Sequence, residues 1–518
     1  MGAVAVLVLI LVAFLALALL LSRPAIVADA SALARVEMPL AEGSIESVRA
    51  TGPDGRVVPV SVKGGRLWPQ VTLPPGEPIS IEVVLHRPGW VAWLTGSKDS
   101  AHLELRTPSA FPSAQYVTLA AGQPLKLAFD APVRTVEYGE PEHLRRKALA
   151  QPLSVITLAR TGEAGTIDVA ATSRSWERLP TPTLVSWFPA GAKGSAVTSP
   201  LPGTQITPLT PITVSFSQPV SAALGGKLPV IEPSGSGSWQ EIDSHTIVYR
   251  PRDFGFGLDT GVKLYLPSQV KLVDGHDTGS SSEGVWSVPG GSTLRAQEIL
   301  AQLGYLPLTF DPSKRVANTP AAQETAAAYP PQGSFSWRYP NTPPALRGLW
   351  SPGTSNTVTR GAVMAFENAH EMTADGIVGP AVWRALIGAE LGDQKTSAGY
   401  TFVMVSENSE TLQLWNDGSI RITTPVNTGI ATAPTELGTF AVYEHLASTT
   451  MSGTNPDGSH YEDPGVPWVS YFNGGDALHG FERAQYGFPQ SLGCVEMPPA
   501  TAGEVWPYTP IGTLVHIE

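Results

Sequence analysis

Residues 2–21, GAVAVLVLILVAFLALALLL, are apolar without a break. Twenty helical residues at about 1.5 Å each reach about 30 Å, the hydrocarbon thickness of a bilayer. A cleaved leader has a shorter apolar core and a basic start. The pattern therefore predicts a membrane-anchoring helix within residues 1–29, while the small residues ADASA at 28–32 keep cleavage open. The first basic residue, Arg23, follows the segment, so the positive-inside rule does not favour export of the body.

Beyond residue 30 the period drops to two. RVVPVSV (56–62), PISIEVVL (78–85), PLKLAFDAPV (124–133) and GTIDVAATS (165–173) alternate apolar and polar positions, with turn residues such as GPDG (52–55) between them. PLKLAFDAPV and PITVSFSQPV (211–220) form a weak internal repeat, and the second continues into HTIVYRPRDFGFGLDTGVKLYLP (245–267). This passage resembles bacterial immunoglobulin-like modules. Three β-sandwich modules are expected, at 33–110, 111–198 and 199–290, with a spacer role.

The period changes to helical at TLRAQEILAQLGYLP (293–307), where Gly304 is placed to end a helix. A Pro/Ala/Ser-rich stretch at roughly 308–355 reads as loose chain. Helical periodicity returns in TRGAVMAFENAHEMTADGIVGPAVWRALIG (359–388). Leu300, Leu303, Gly304 and Tyr305, then Val363, Ala365, Phe366 and His370, then ADGIVGPAVWRAL (374–386) with Trp383, resemble the small three-helix peptidoglycan-binding module. The resemblance implies a wall-binding domain over 291–392. From YTFVMVSENSETLQLWNDGSIRITTPVNTG (400–429) the chain alternates again, with Asn416-Asp417-Gly418 as a hairpin turn. The fold class is thus multidomain and mainly β, with an N-terminal transmembrane helix and one small helical domain.

Composition narrows the function. Gly and Pro number 51 and 48 of 518 residues, which suits turn-rich β structure. The net charge of −12 argues against nucleic acid, whose binding rests on Lys and Arg neutralising phosphates. No H-E-x-x-H, H-x-H or cysteine pair occurs, so neither a metal nor a cofactor is expected. A single cysteine, Cys494, excludes an internal disulfide framework.

Cys494 stands 15 positions after His479 in HGFERAQYGFPQSLGCVEMP (479–498). A lone cysteine in a β domain is most simply a buried structural residue. An imidazole nearby makes it a candidate nucleophile, because a base can lower the thiol pKa and take its proton. Gly480 permits a tight strand end beside the histidine. Gly493 permits close approach to a substrate carbonyl, and its N–H with that of Cys494 can serve as an oxyanion site.

Residues 398–518 resemble the L,D-transpeptidase catalytic domain of the YkuD type. The resemblance is carried by VNTG (426–429), APTELGTFAVY (433–443), the groove passage 449–480 ending in His-Gly, and SLGCVEMP (491–498). It implies Cys494 as nucleophile, His479 as base, and Ser491, Gly493 and Gly480 as residues that shape the site. Met451, Trp468, Tyr471 and His460 are candidates for contact with substrate. Two positions depart from the family box: Leu492 replaces a histidine, and Glu496 replaces Arg or Asn. Glu496 can raise the thiol pKa or pair with a cation such as Arg483.

The resemblance further implies a 3→3 cross-linking enzyme acting through a thioester on tetrapeptide stems, and a β-lactam (carbapenem) adduct at Cys494. It places the body of the protein on the cell-wall side of the plasma membrane, held by a single-pass anchor. Other readings stay open: an L,D-carboxypeptidase, another thiol acyltransferase, or a non-catalytic wall-binding scaffold. A sortase separates His and Cys more widely, and papain-like peptidases place Cys before His.

Overall fold

The computed structural model describes residues 2–21, 24–37, 43–87, 96–140, 143–159, 162–191, 194–273 and 282–518, with positions 89 and 92. Met1, Ser22 and Arg23 of the expected anchor segment lie outside these residues, as do parts of the modules expected at 33–110, 111–198 and 199–290.

Gly2–Leu21 is a helix. Among the described residues no helix is long and apolar enough to cross a membrane. The transmembrane anchor expected from the sequence is therefore not supported by the structure. Ala25–Ala28, placed with the anchor in the sequence reading, is instead a strand paired antiparallel to Ala34–Glu37.

The period-two segments form sheets paired mainly antiparallel, and Pro78–His86 buries one face by strict alternation. Two four-stranded sheets cover residues 25–106 and share a core that includes Leu67, Ile81 and Val83. Trp176 joins this core from far along the chain, where the Leu73 N–H donates to the Trp176 carbonyl at 3.1 Å. A five-stranded sheet spans 116–189, and a five-stranded and a three-stranded sheet enclose Phe216, Phe256 and Trp286 in the next module. The two repeat copies diverge at Pro-Val. Pro132 and Val133 continue the strand Leu125–Gly139 across a register shift, whereas Pro219 opens the short helix Val220–Leu224.

The stretch at 308–355, expected to be loose, is ordered. Leu308–Pro312 pairs with Gly333–Trp337, and the helices Pro320–Ala328 and Pro344–Gly348 flank the hairpin. Its small residues pack: Ala327 and Leu346 join Ile299, Leu300, Phe366 and Trp383 in one core. That core also holds Phe402, Trp415 and Leu514, so the helical unit and the C-terminal β unit share apolar packing.

The C-terminal unit has two sheets. In the first, Ser419–Pro425, Thr411–Asn416, Thr401–Ser406, Leu514–Ile517 and Gly438–Ala441 lie side by side in that order. In the second, the order is Glu444–Thr454, His460–Asn473, Asp476–Gly480 and Val495–Met497. A core of Val403, Leu412, Leu414, Phe472, Leu478, Val495 and Met497 lies between them.

Candidate active site

His479 stands on a strand, and Cys494 on the loop that enters the neighbouring strand. Asp476–Gly480 and Val495–Met497 run parallel, with Leu478 opposite Val495 and His479 opposite Glu496. Cys494 immediately precedes the second strand, so the 15-residue step closes across a single ladder. The intervening loop is fastened from outside. The backbones of Asn427 and Glu496 exchange bonds of 2.9 and 3.0 Å, and Thr428 O accepts from Gln490 and Ser491 N–H. The VNTG passage thus braces the cysteine loop.

Ser491 closes that loop from within. Its hydroxyl donates to the Cys494 carbonyl at 2.5 Å, and the Gly493 N–H donates to the Ser491 oxygen at 3.3 Å. The Gly493 N–H, read from sequence as an oxyanion donor, is thus directed into its own loop. Gly493 has φ +117°, and a β-carbon there would lie 2.2 Å from Asp476 Oδ1. The space that glycine leaves is taken by a carboxylate of the neighbouring strand. Gly480 fits against the helix Pro499–Val505, where a β-carbon would lie 2.9 Å from Pro499 Cα.

The His479 ring is 3% exposed. Its Nδ1 lies 3.1 Å from the Gly480 carbonyl, which can only accept, so Nδ1 carries the proton and Nε2 keeps its lone pair. Burial lowers its pKa, which favours the neutral ring; Arg483 acts in the same direction, while the Gly480 carbonyl, Glu496 and Asp463 oppose.

Cys494 Sγ lies 3.7 Å from the Gly475 carbonyl. Burial pushes its pKa up to about 12, Asp476 and Glu496 add to the rise, and the Ala477 backbone opposes it. The resting site therefore holds a protonated thiol and a neutral imidazole, unlike the imidazole-lowered thiol that the sequence suggested. Asp476 is itself raised to about 6, by burial and then by the charge of Glu436.

Met451, Tyr471 and Cys494 all pack against the buried Val466, Val469 and Ala477. Two tyrosines that sequence reasoning missed complete this wall. Tyr443, Tyr461 and Tyr471 are raised chiefly by burial, and each is also raised by the charge of a Cys494 thiolate, which sets all three near the sulfur. Tyr443 donates to the Gly474 carbonyl and stacks with Tyr471, ring centroids 6.1 Å apart. The signal for Tyr461 was available: it lies on the inward phase of the alternating strand His460–Asn473.

Trp468 and His460 are not gathered with this group. Trp468 packs beside the other core of the domain, against Trp506 with centroids 5.4 Å apart. His460 is exposed at the start of its strand, 3.2 Å from the Thr454 hydroxyl. Glu496, a departure from the family box, forms a bidentate pair with Arg483 at 2.8 and 2.7 Å. Among the described residues no group of three or more His, Cys, Asp or Glu side chains is arranged to hold a metal ion.

A buried imidazole on one strand and a thiol on the loop entering its parallel neighbour, beside a tyrosine-lined wall, define a thiol-bearing β domain. Residues 400–517 match the L,D-transpeptidase catalytic domain (YkuD), and residues 348–386 match a peptidoglycan-binding domain (PG_binding_1). The chain thus carries an L,D-transpeptidase catalytic domain preceded by a peptidoglycan-binding domain.

Among solved structures it is similar to the Enterococcus faecium L,D-transpeptidase in a mutant form, at 24% identity over 26% of this chain and 62% of that one, TM-score 0.22. It is also similar to the E. faecium catalytic domain acylated by ertapenem, at 27% identity over 24% of this chain and all of that one, TM-score 0.22. A third is L,D-transpeptidase 3 from Mycobacterium tuberculosis with a faropenem-derived adduct, at 12% identity over 62% and 96%, TM-score 0.22. Comparison with curated proteins gives no match.

Proposed function

We propose that the protein forms 3→3 cross-links in peptidoglycan through a Cys494 acyl-enzyme. The observation that carries this reading is that His479 lies on one strand and Cys494 on the loop entering its parallel neighbour, inside the segment that matches the catalytic family.

Sγ attacks the carbonyl carbon of the third residue of a donor tetrapeptide, while His479 Nε2 takes the thiol proton. The tetrahedral adduct collapses, the bond to the terminal D-alanine breaks, and the imidazolium returns its proton to the departing amine. A thioester remains. The side-chain amine of an acceptor stem attacks it, Nε2 removes the amine proton, and the thiolate leaves and is reprotonated. Water in place of the amine would give L,D-carboxypeptidase activity. Because the resting thiol is protonated, Nε2 has a proton to take during acylation. The peptidoglycan-binding domain, which shares a core with the catalytic domain, would hold the site against its substrate and raise the local stem concentration. A wall substrate places the body of the protein on the extracytoplasmic side.

The test is intact-mass analysis of the full chain with a carbapenem, beside Cys494→Ala and His479→Gln. The expected result is one adduct with the full mass of the β-lactam on the wild type, none on Cys494→Ala and slow formation on His479→Gln. Absence of the adduct from the folded wild type would leave the wall-binding scaffold as the reading.

A further inference from the structure

Three side chains close a ring with the candidate base. Glu496 is opposite His479 in the parallel ladder, so both side chains emerge on the same face of the sheet. The Glu496 carboxylate holds the Arg483 guanidinium in a two-pronged pair, with the glutamate side chain 6% exposed. The guanidinium lies 4.5 Å above the Phe481 ring centroid. Phe481 in turn stands edge-on to His479, with centroids 5.9 Å apart at 84°. The backbone locks the same corner: Tyr486 OH donates to the Phe481 carbonyl at 2.7 Å and accepts from Arg483 N–H at 3.2 Å.

We propose that the Arg483–Glu496 pair is the positioning device for the His479 imidazole, acting sterically through Phe481 and electrostatically by presenting a neutralised carboxylate. This rests on the reading of His479 as base to Cys494. A planar fork fixes Arg483 flat over Phe481, and the ring edge then bars rotation of the imidazole away from its Gly480 bond. The charges that face His479 are Glu496 from the adjacent strand, Arg483 from the loop and Asp463 from the long hairpin; Asp476, on its own strand, acts on the thiol. With the pair intact, the opposing effects of Glu496 and Arg483 partly cancel. Leu492 and Glu496, the two departures from the family box, then have different meanings: the first removes a group, and the second supplies half of a brace completed by Arg483.

The experiment follows His479 by imidazole NMR in the full chain, assigned by its loss in His479→Gln, together with the pH profile of carbapenem acylation. Arg483→Met leaves Glu496 uncompensated and is expected to move the His479 midpoint up; Glu496→Gln leaves the cation and should move it down. Arg483→Lys should keep the midpoint but lose the flat stacking, and slow acylation by about tenfold or more through misorientation alone. A purely structural pair would not shift the midpoint in opposite directions in two folded variants. The proposal is overturned if the folded single variants keep the wild-type midpoint, or if Arg483→Lys acylates at the wild-type rate. If no acylation occurs in any form but the midpoints move apart, the pair's hold on His479 stands and the reading of Cys494 falls.

Discussion

Gly361 and Gly512 press backbone to backbone across the joint between the peptidoglycan-binding helices and the catalytic sheets. A β-carbon on Gly361 would lie 2.6 Å from the Gly512 carbonyl oxygen, and one on Gly512 would lie 2.4 Å from that of Gly361. Gly512 also has φ +90°, where side chains are strained. Beside this joint Tyr339 donates to Asp417 and its ring stands edge-on to Trp415. The two domains are packed as one body here.

Gly512→Ala should therefore weaken both domains together. The added methyl has no room, and overpacking with backbone strain costs about 1–3 kcal/mol. Differential scanning calorimetry should show a lower transition for the whole 291–518 region. A lowered transition confined to one domain would mean that the joint does not couple them.

Gly493→Ala meets both a carboxylate and a positive φ. The expected outcome is loss of carbapenem acylation with a modest fall in melting temperature, because the strain of about 1–3 kcal/mol falls on the cysteine loop. Adding Asp476→Ala removes the clash but not the φ penalty, so it should restore part of the rate. No recovery in the double variant would show that the carboxylate is not the obstacle.

The thiol predicts its own pH dependence. Its folded pKa, near 12, lies above the usual value of 9.0, so thiolate reagents should modify Cys494 slowly at neutral pH. Alkylation by iodoacetamide should climb about tenfold per pH unit from pH 7 to 9, following the thiolate fraction. Asp476→Asn removes a charge that disfavours the thiolate and should raise the rate at every pH above 7. A plateau by pH 8 in the wild type would contradict the raised thiol pKa.

Glu324 and Glu367 predict the pH dependence of stability. Burial is the main cause in each, raising Glu324 to about 8 and Glu367 to about 7 from an ordinary 4.5. Between pH 5 and 8 the folded chain therefore holds protons that the unfolded chain has lost, and stability falls as pH rises. Glu324→Gln should flatten this slope, raising the melting temperature at pH 8 and leaving it nearly unchanged at pH 5. A wild-type melting temperature that is flat over this range would remove the basis for the shift.

Trp468 and Tyr471 separate packing from the site. Trp468→Ala leaves a void beside Trp506 and should cost about 2 kcal/mol or more of stability with little change in acylation per folded molecule. Tyr471→Ala should do the reverse, because its ring shares a cluster with Cys494. The comparison needs only melting curves and adduct rates. Equal acylation losses in both would place Trp468 in the groove after all.

The sequence by itself determined the local matters. Period-two alternation located the strands, and the His-to-Cys segment named the two candidate reactive groups. It also contained the helical periods around Ile299, Phe366 and Trp383. In each case the information lies within a few consecutive residues. What only the tertiary structure decided is which distant residues meet. Asp476 occupies the space beside Gly493, Tyr443 and Tyr461 join Tyr471 near the sulfur, and Trp176 reaches back to the first sheets. The stretch at 308–355 read as loose because its Ala and Pro residues carry no amphipathic period. It is ordered by neighbours such as Ile299 and Trp383, which no local pattern names. The thiol pKa was legible only in part for the same reason: the imidazole and Glu496 are visible in the chain, but burial and the carboxylate of Asp476 act on the sulfur only when strands are set side by side. Strand pairing fixes such neighbours through the ladder, and the ladder is a property of the whole fold.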